Sequence, residues 1–480
     1  MNSARFAPPR HPLPSPTDTG HRSPFTAHRM LSRLYPLRGL PRQGQLWSWI
    51  SFDVANQSFT LIINTLLFSI FFQQVVIRDP ARDDLLWALT YATSMMLVVI
   101  ASPIAGAIAD ERAWKKASLL VTGLLCAAFT CGLACIGPGQ FWLAVLLYIP
   151  ANFLFSIGEN FLASFLPELS TRENFGRVSG FSWACSYSAA LLLLVLTAGG
   201  MLTFGWKSPE SWRPVFVFAG GWFFAFAIPT LLFLRERPAA ANRPRAPLLT
   251  AGFRRLADSL GHVRRFRDIA LLFAASLFYG TGMSVIIMFA SILAKEFGFD
   301  DVQLVLFVAV ITLSGILGTL VPTLWQDRLG HKRTTLLLLG VWIATTAGFA
   351  AFAWARSRAA VPADFPTWPL WLVGNLIGFG LGSLGSANRA FVGFLTPATR
   401  SAEFFGLWGL VFKLAAVFTI PFGFAKDAWG TPTALLVLLG FLAVGGLLTL
   451  LVDEHRGLAA ARAEDERLGT NATEAGANSA

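Results

Sequence analysis

From Trp47 to Val452 the chain alternates long apolar runs with short polar connectors, and twelve of the runs are long enough to cross a hydrocarbon layer. About 20 apolar residues in a helix cover the ~30 Å of a bilayer core. The runs fall at roughly 48–77, 85–109, 117–137, 141–166, 178–203, 213–234, 269–294, 302–324, 334–355, 369–395, 403–428 and 432–452. In lipid each backbone amide must be satisfied within its own segment, so runs of this kind predict helices and an all-α membrane protein. Only one internal connector, 235–268, is long and polar. The pattern therefore predicts a disordered cytoplasmic arm over 1–46, a six-helix bundle over 47–234, a cytoplasmic linker over 235–268, a second six-helix bundle over 269–452 and a disordered cytoplasmic tail over 453–480.

The second half repeats the first. After span 2 the chain reads Asp110-Glu-Arg112-Ala-Trp-Lys115-Lys116, and after span 8 it reads Asp327-Arg328-Leu-Gly-His-Lys332-Arg333. Aligning the two aspartates superposes Lys115 on Lys332 and Lys116 on Arg333. At an offset of 230, Pro167 matches Pro397, Phe175 matches Phe405 and Gly176 matches Gly406. Two copies in the same order predict parallel repeats related by an axis along the membrane normal, the arrangement of major facilitator transporters.

Composition and charge narrow the class. Hydrophobic residues make up 54% and charged residues 14% of the 480 residues, well below the ~25% charged share of globular domains. The formal net charge is +11. Seven basic residues sit in the N-terminal arm and nine in the central loop, against eight in all the connectors of the opposite side. The positive-inside rule then accounts for the basicity without a nucleic-acid partner and predicts both termini and the central loop in the cytoplasm. The four cysteines, Cys126, Cys131, Cys135 and Cys185, have neither histidine partners nor CxxC spacing, so no metal site or other cofactor is expected. All six histidines fall in arms or loops, which excludes an intramembrane histidine relay. With no HExxH or nucleophile elbow either, the chain is expected not to be an enzyme.

Several motifs carry a family resemblance. The Pro-x-x-Gly-x-x-x-Asp run ending at Asp110, with Arg112, Lys115 and Lys116, resembles the signature loop of the major facilitator superfamily, and Asp327 to Arg333 resembles its second-half copy. Trp49-Ile-Ser-Phe52-Asp53-Val-Ala55-Asn56-Gln57-Ser-Phe59 in span 1, Leu166-Pro167-Glu168-Leu169 with Gly176-Arg177-Val178-Ser179-Gly180, and Ala402-Glu403-Phe404-Phe405-Gly406 with Lys413 resemble the vacuole-effluxer-like branch, a group of autophagy-linked amino-acid exporters and their bacterial relatives. The chain departs from that branch at Tyr279-Gly280-Thr281-Gly282, which has no acid, and at Ser186, Ser188, Ala189 and Ala190 in place of glycines.

Candidate chemistry comes from polarity where it is costly. A charged side chain at the centre of a membrane helix costs about 2.5–3.5 kcal/mol, so it faces a cavity or a partner. Asp53, Glu159, Arg389 and Lys413 are the four charged residues well inside the spans. At 100° per residue, Asp53, Gln57, Thr60 and Asn64 fall within about 40° of one another, which predicts one polar stripe lining a cavity or bonding a neighbouring helix. Asn56, Asn160, Tyr279 and Asn388 add polar groups at similar depth. The 230-residue offset pairs Glu159 with Arg389 and predicts an ion pair across the centre. Lys413 is a candidate for a substrate carboxylate or phosphate. Asp110, Arg112, Lys115, Lys116, Asp327, Arg328, Lys332 and Arg333 are expected to form cytoplasmic gate loops.

Two features point away from cofactor chemistry. Gly380-Leu-Gly382-Ser-Leu-Gly385 fits GxGxxG but lies inside an apolar span, while Gly374, Gly378 and Gly382 recur every four residues as a helix-packing face. Trp47, Trp49, Trp368 and Trp371 suit the membrane interfaces. The expected function is a secondary active transporter in the bilayer, working by alternating access without a nucleotide. The resemblance implies a small organic solute, amino acids among them, and export rather than import. Proton coupling through Asp53 or Glu159 is the expected drive, with Asp53 the better candidate because pairing with Arg389 would keep Glu159 charged; a transporter-like sensor or scaffold without net flux is the alternative, and the expected location is a bacterial inner membrane.

Overall fold

The computed structural model describes residues 37, 40, 42–111, 114–169, 175–206, 208–236, 248–320, 325–359, 366–397 and 400–477. Arg42–Ala480 is one compact unit. Among the described residues eleven helices are long and apolar enough to span a membrane, and the bent pair Gln43–Leu66 with Phe68–Ile77 makes a twelfth. This bent pair is span 1. Spans 2 to 6 are Asp83–Glu111, Lys115–Gly132, Phe141–Leu169, Phe175–Phe204 and Arg213–Phe233. Spans 7 to 10 are Arg267–Glu296, Asp301–Leu320, His331–Ser357 and Trp368–Leu395; span 11 is Ser401–Val417 with Ile420–Trp429, and span 12 is Thr431–Leu451.

The packing repeats as the sequence does. In the first bundle span 1 packs on 5 and 6, span 3 on 4 and 6, and span 2 on 4; in the second, span 7 packs on 11 and 12, span 9 on 10 and 12, and span 8 on 10. The seam between bundles is formed by spans 2 with 11, 5 with 8, and 1 with 7. The predicted glycine face of span 10 does what its spacing requires. A Cβ at Gly378 would lie 2.5 Å from the Ile311 carbonyl oxygen of span 8, and one at Gly382 would overlap the Gly315 carbonyl.

Three elements differ from the sequence pattern. Span 1 is not a straight α-helix: from Ser58 to Leu66 it is a π-helix, and a bend of 43° follows at Leu67. The Leu67 N–H reaches back to the Ile62 carbonyl at 3.0 Å, and the Thr65 hydroxyl takes the Thr60 carbonyl at 2.9 Å. Beyond the bend, Phe68 stacks on Tyr148 with ring centroids 5.1 Å apart and meets Trp87 and Phe216 edge-on. The central connector contains a helix, Leu248–Val263, here the linker helix. The tail expected to be disordered is also helical, Glu454–Ala477. Its first turns are rich in Ala, Arg and Glu, which favour helix, and Arg456 anchors them to Asp268 at the start of span 7 at 2.6 and 2.8 Å. Trp49 departs from its interfacial assignment as well: it is 5% exposed and donates to the Leu162 carbonyl of span 4.

Candidate functional site

The polar groups of the interior gather where spans 1, 2, 4 and 11 meet. Lys413 projects from span 11 of the second bundle into the first, where its ammonium donates to the Ser156 carbonyl at 3.1 Å and to the Asn160 side-chain oxygen. Asn160 in turn donates to Ser102 of span 2 at 3.2 Å. Glu159, next to Asn160, is exposed to solvent. Its charge nonetheless acts on Asp53 of span 1, Tyr91 of span 2 and Lys413 of span 11. A carboxylate in the middle of a membrane helix, within electrostatic range of polar groups on three other helices, is placed toward the interior between the bundles.

Asp53 is held differently. Its carboxylate accepts from Ser182 of span 5 at 2.8 Å. Asn64 lies in a dry network: it donates to Asn152 at 3.0 Å, accepts from Tyr148 at 2.8 Å, and Asn152 donates to Ser94 at 2.6 Å. The stripe predicted on span 1 is thus divided. Asp53 turns to span 5 and Asn64 to span 4, because the π-helical segment between them winds by less than 100° per residue. Thr60 returns its hydroxyl to the Asn56 carbonyl at 3.1 Å, Asn56 is 2% exposed with its amide nitrogen unpartnered among the described residues, and Gln57 is partly exposed.

In the second bundle, Ser276 ties Tyr279 at 2.8 Å to the Asn388 side-chain oxygen at 3.2 Å, while the Asn388 amide nitrogen has no partner among the described residues. Arg389 is exposed and makes no ion pair among the described residues. The expected Glu159–Arg389 pair is therefore not formed. Repeat equivalence places the two at corresponding depths in separate bundles, but the seam in this state brings span 11, with Lys413, up to span 4.

On the basic-loop face, Lys115 pairs with Glu168 at 2.7 Å. The Glu236 carboxylate accepts the backbone N–H groups of Lys115 and Lys116 at 2.7 and 3.1 Å, and Lys116 donates to the Leu231 carbonyl at 2.9 Å. The second bundle repeats this: Glu454 accepts the Lys332 N–H, and Lys332 donates to the Leu450 carbonyl at 2.7 Å. Each acid caps the N-terminus of its bundle's third helix, a favourable place for negative charge. Arg328 and Arg333 are exposed; Arg112 and the side chains of Asp110 and Asp327 lie outside the described residues. Glu236 and Glu454 escape the sequence reading, although both stand two positions past a span-ending apolar residue, Leu234 or Val452.

The opposite face carries a second missed cluster. Lys426 of span 11 pairs with Asp84 of span 2 at 2.6 Å and with Glu296 of span 7 at 3.0 Å. Gln73 donates to Asp84 at 2.5 Å, and Asp427 accepts the Asp84 and Leu85 N–H groups at 3.2 and 2.8 Å. Asp83, Asp84 and Asp427 lie close enough together to consider a metal, but Lys426 and two backbone donors already serve two of the three carboxylates. Nearby, Ser291 of span 7 donates to the Thr65 carbonyl, and Trp87 donates to Met288 at 3.3 Å. The bundles are closed against each other on this face. An apolar cavity of about 430 Å³ on the flank of spans 2 to 4, lined by Trp114, Val121 and Phe153 among others, holds neither Glu159 nor Lys413.

The profile of the family described as vacuole effluxer Atg22 like matches residues 86–462. The chain is 22% identical over 379 residues to the uncharacterized MFS-type transporter YxiO of Bacillus subtilis, covering 77% of this chain and 85% of that protein. It is 26% identical over 303 residues to autophagy-related protein 22-1 of Penicillium rubens, covering 58% of this chain and 50% of the fungal protein, so it spans about half the length of that relative. Two solved structures share the fold: a D-xylose–proton symporter, with a TM-score of 0.64, 16% identity and coverage of 86% of this chain and 98% of its own, and the nucleoside transporter NupG, at 0.62, 14%, 85% and 98%.

Proposed function

The chain belongs to the vacuole effluxer Atg22-like family and has the major facilitator fold, and from that premise we propose that it exports a small zwitterionic solute, an amino acid, by alternating access. The observation that carries this reading is the pairing of opposite charges in one wetted centre, each with unspent capacity. Among the described residues Glu159 has no hydrogen-bond partner, and it can take a solute ammonium. Lys413 stands within electrostatic reach of it and can take the carboxylate. A solute bearing both charges bridges span 4 of one bundle and span 11 of the other, so its binding differs between states in which the bundles meet and part. Such differential affinity is what lets a ligand shift a conformational equilibrium. The family description, vacuole effluxer Atg22 like, agrees with export.

Glu159 is also the better proton carrier. Asp53 already accepts from Ser182, whereas Glu159 is open to water and to the solute. The basic-loop face is taken as cytoplasmic, on the charge bias of the connectors. The test is uptake of labelled amino acids into proteoliposomes with and without a pH gradient. Accumulation driven by the gradient and lost in Glu159→Gln supports the reading; binding without flux in any gradient contradicts it and makes the chain a sensor.

A further inference from the structure

Span 11 reaches into the first bundle twice, with lysines 13 residues apart, roughly 20 Å along a helix. The two are held by chemically different partners. Lys426 sits between two carboxylates, Asp84 and Glu296, so its charge is neutralised at contact distance. Lys413 is held only by neutral oxygens, the Ser156 carbonyl and the Asn160 amide, and forms no ion pair among the described residues. The Lys413 ammonium thus makes charge-assisted hydrogen bonds to neutral oxygens but lacks the opposite charge that a carboxylate would add. An entering anion therefore displaces the Lys413 contacts far more readily than those of Lys426.

Between the lysines the helix is interrupted. Ser401–Val417 ends with the Phe418 and Thr419 N–H groups bonded three residues back, to Ala415 and Ala416, and Ile420–Trp429 begins with Pro421 in its first turn. Proline supplies no N–H to bridge the two segments, so the helix has a built-in flexion point there. The outer segment is also sterically fixed: a Cβ at Gly423 would fall 2.8 Å from both the Ala88 Cβ and the Asp84 carbonyl oxygen.

We propose that Lys413 is a specificity-determining residue with two positions, tether to span 4 in the empty protein and anion site for the solute's carboxylate, and that its exchange between them swings the inner segment of span 11 about Thr419 while Lys426 holds the outer segment. This rests on the transporter reading above and adds which residue senses the solute and which part of the seam answers. The charged and titratable groups facing Lys413 are Glu159 on span 4 of the opposite bundle and, around Glu159, Asp53 and Tyr91. None of them touches the ammonium, so the exchange is a competition between neutral protein oxygens and a solute carboxylate.

Distances between label pairs on the full chain test it, in a variant lacking the four native cysteines. An inner pair at Ala163 and Gly406 and an outer pair at Leu89 and Trp429 all use exposed positions. Without solute, Lys413→Gln should widen the inner pair by about one helical turn, ~5 Å, and leave the outer pair unchanged, while Lys426→Gln should move the outer pair. In the wild type, a mixture of the common L-amino acids should widen the inner pair and the corresponding amino-acid amides should not. An inner pair that Lys413→Gln leaves as in the wild type, or that amides open as well as acids do, overturns the inference. If Lys413→Gln opens the inner pair but the wild type ignores acids and amides alike, amino acids are removed as the solute and the exchange falls with them, leaving the transporter fold untouched.

Discussion

Glu159 and Asn64 lie on neighbouring helices, yet their surroundings give opposite expectations for substitution. Glu159 is exposed and has no hydrogen-bond partner among the described residues, so Glu159→Gln removes a charge without breaking a contact there. Transport should fall by at least tenfold while the melting temperature stays within a degree or two; a large loss of stability would make Glu159 a structural residue. Asn64 instead bonds both Asn152 and Tyr148 in a dry site. Interhelical hydrogen bonds of this kind are worth about 0.6 kcal/mol on average and up to ~1.7 in membrane proteins. A double-mutant cycle of Asn64→Ala and Asn152→Ala should return a coupling in that range with transport retained, and additive effects would show that the pair does not interact. The four intramembrane charges could be read from the sequence because each is expensive in lipid. Which partners they take could not, since Lys413 chooses Asn160 and Ser156 through a seam that depends on how two bundles dock.

At the scale of single elements, span 1 shows why pattern has a limit. Its run from Ser58 to Leu66 contains neither proline nor glycine, so no residue announces the π-helix or the bend at Leu67. The glycine face of span 10 is the converse, because a repeat of small residues every four positions has one use in a membrane helix. Gly378→Val should destabilise the protein by about 1–3 kcal/mol or more, since the Ile311 backbone cannot yield as a side chain would. Thermal unfolding in detergent checks this, and an unchanged melting temperature would mean spans 8 and 10 do not approach so closely. The tail helix makes a pH-dependent prediction. The N–H groups of Arg456 and His455 hold the Asp453 carboxyl below its usual range. A depressed carboxylate contributes its stabilisation above the unfolded value of ~3.9 and loses it as pH falls through the lower folded value. A spin label at Ala459 should therefore keep its mobility from pH 8 to about 5 and loosen only below about pH 4. Loosening near neutrality would contradict a carboxylate anchor at Asp453.

Across the whole molecule the seam has the symmetry of the repeat: span 2 meets 11 as span 8 meets 5, and span 1 meets 7 across the axis. Twelve spans, two bundles and their parallel relation follow from run length and from the repeated loops, because hydropathy and repetition are local. The closed face, with Asp84, Lys426 and Glu296, does not, because those charges lie at span ends where charge costs little and draws no notice. Asp84→Asn and Lys426→Gln should each weaken that closure, and a charge swap should restore part of it; equal effects of the single and double substitutions on cross-linking across spans 2 and 11 would support the pair. Solute counterflow in proteoliposomes tests the central claim most directly. With unlabelled amino acids inside, labelled amino acids should enter faster than into empty vesicles, with the stimulation lost in Glu159→Gln and Lys413→Gln and kept in Asn64→Ala. Solute that binds the purified wild type yet shows no stimulated entry would contradict alternating access through this centre.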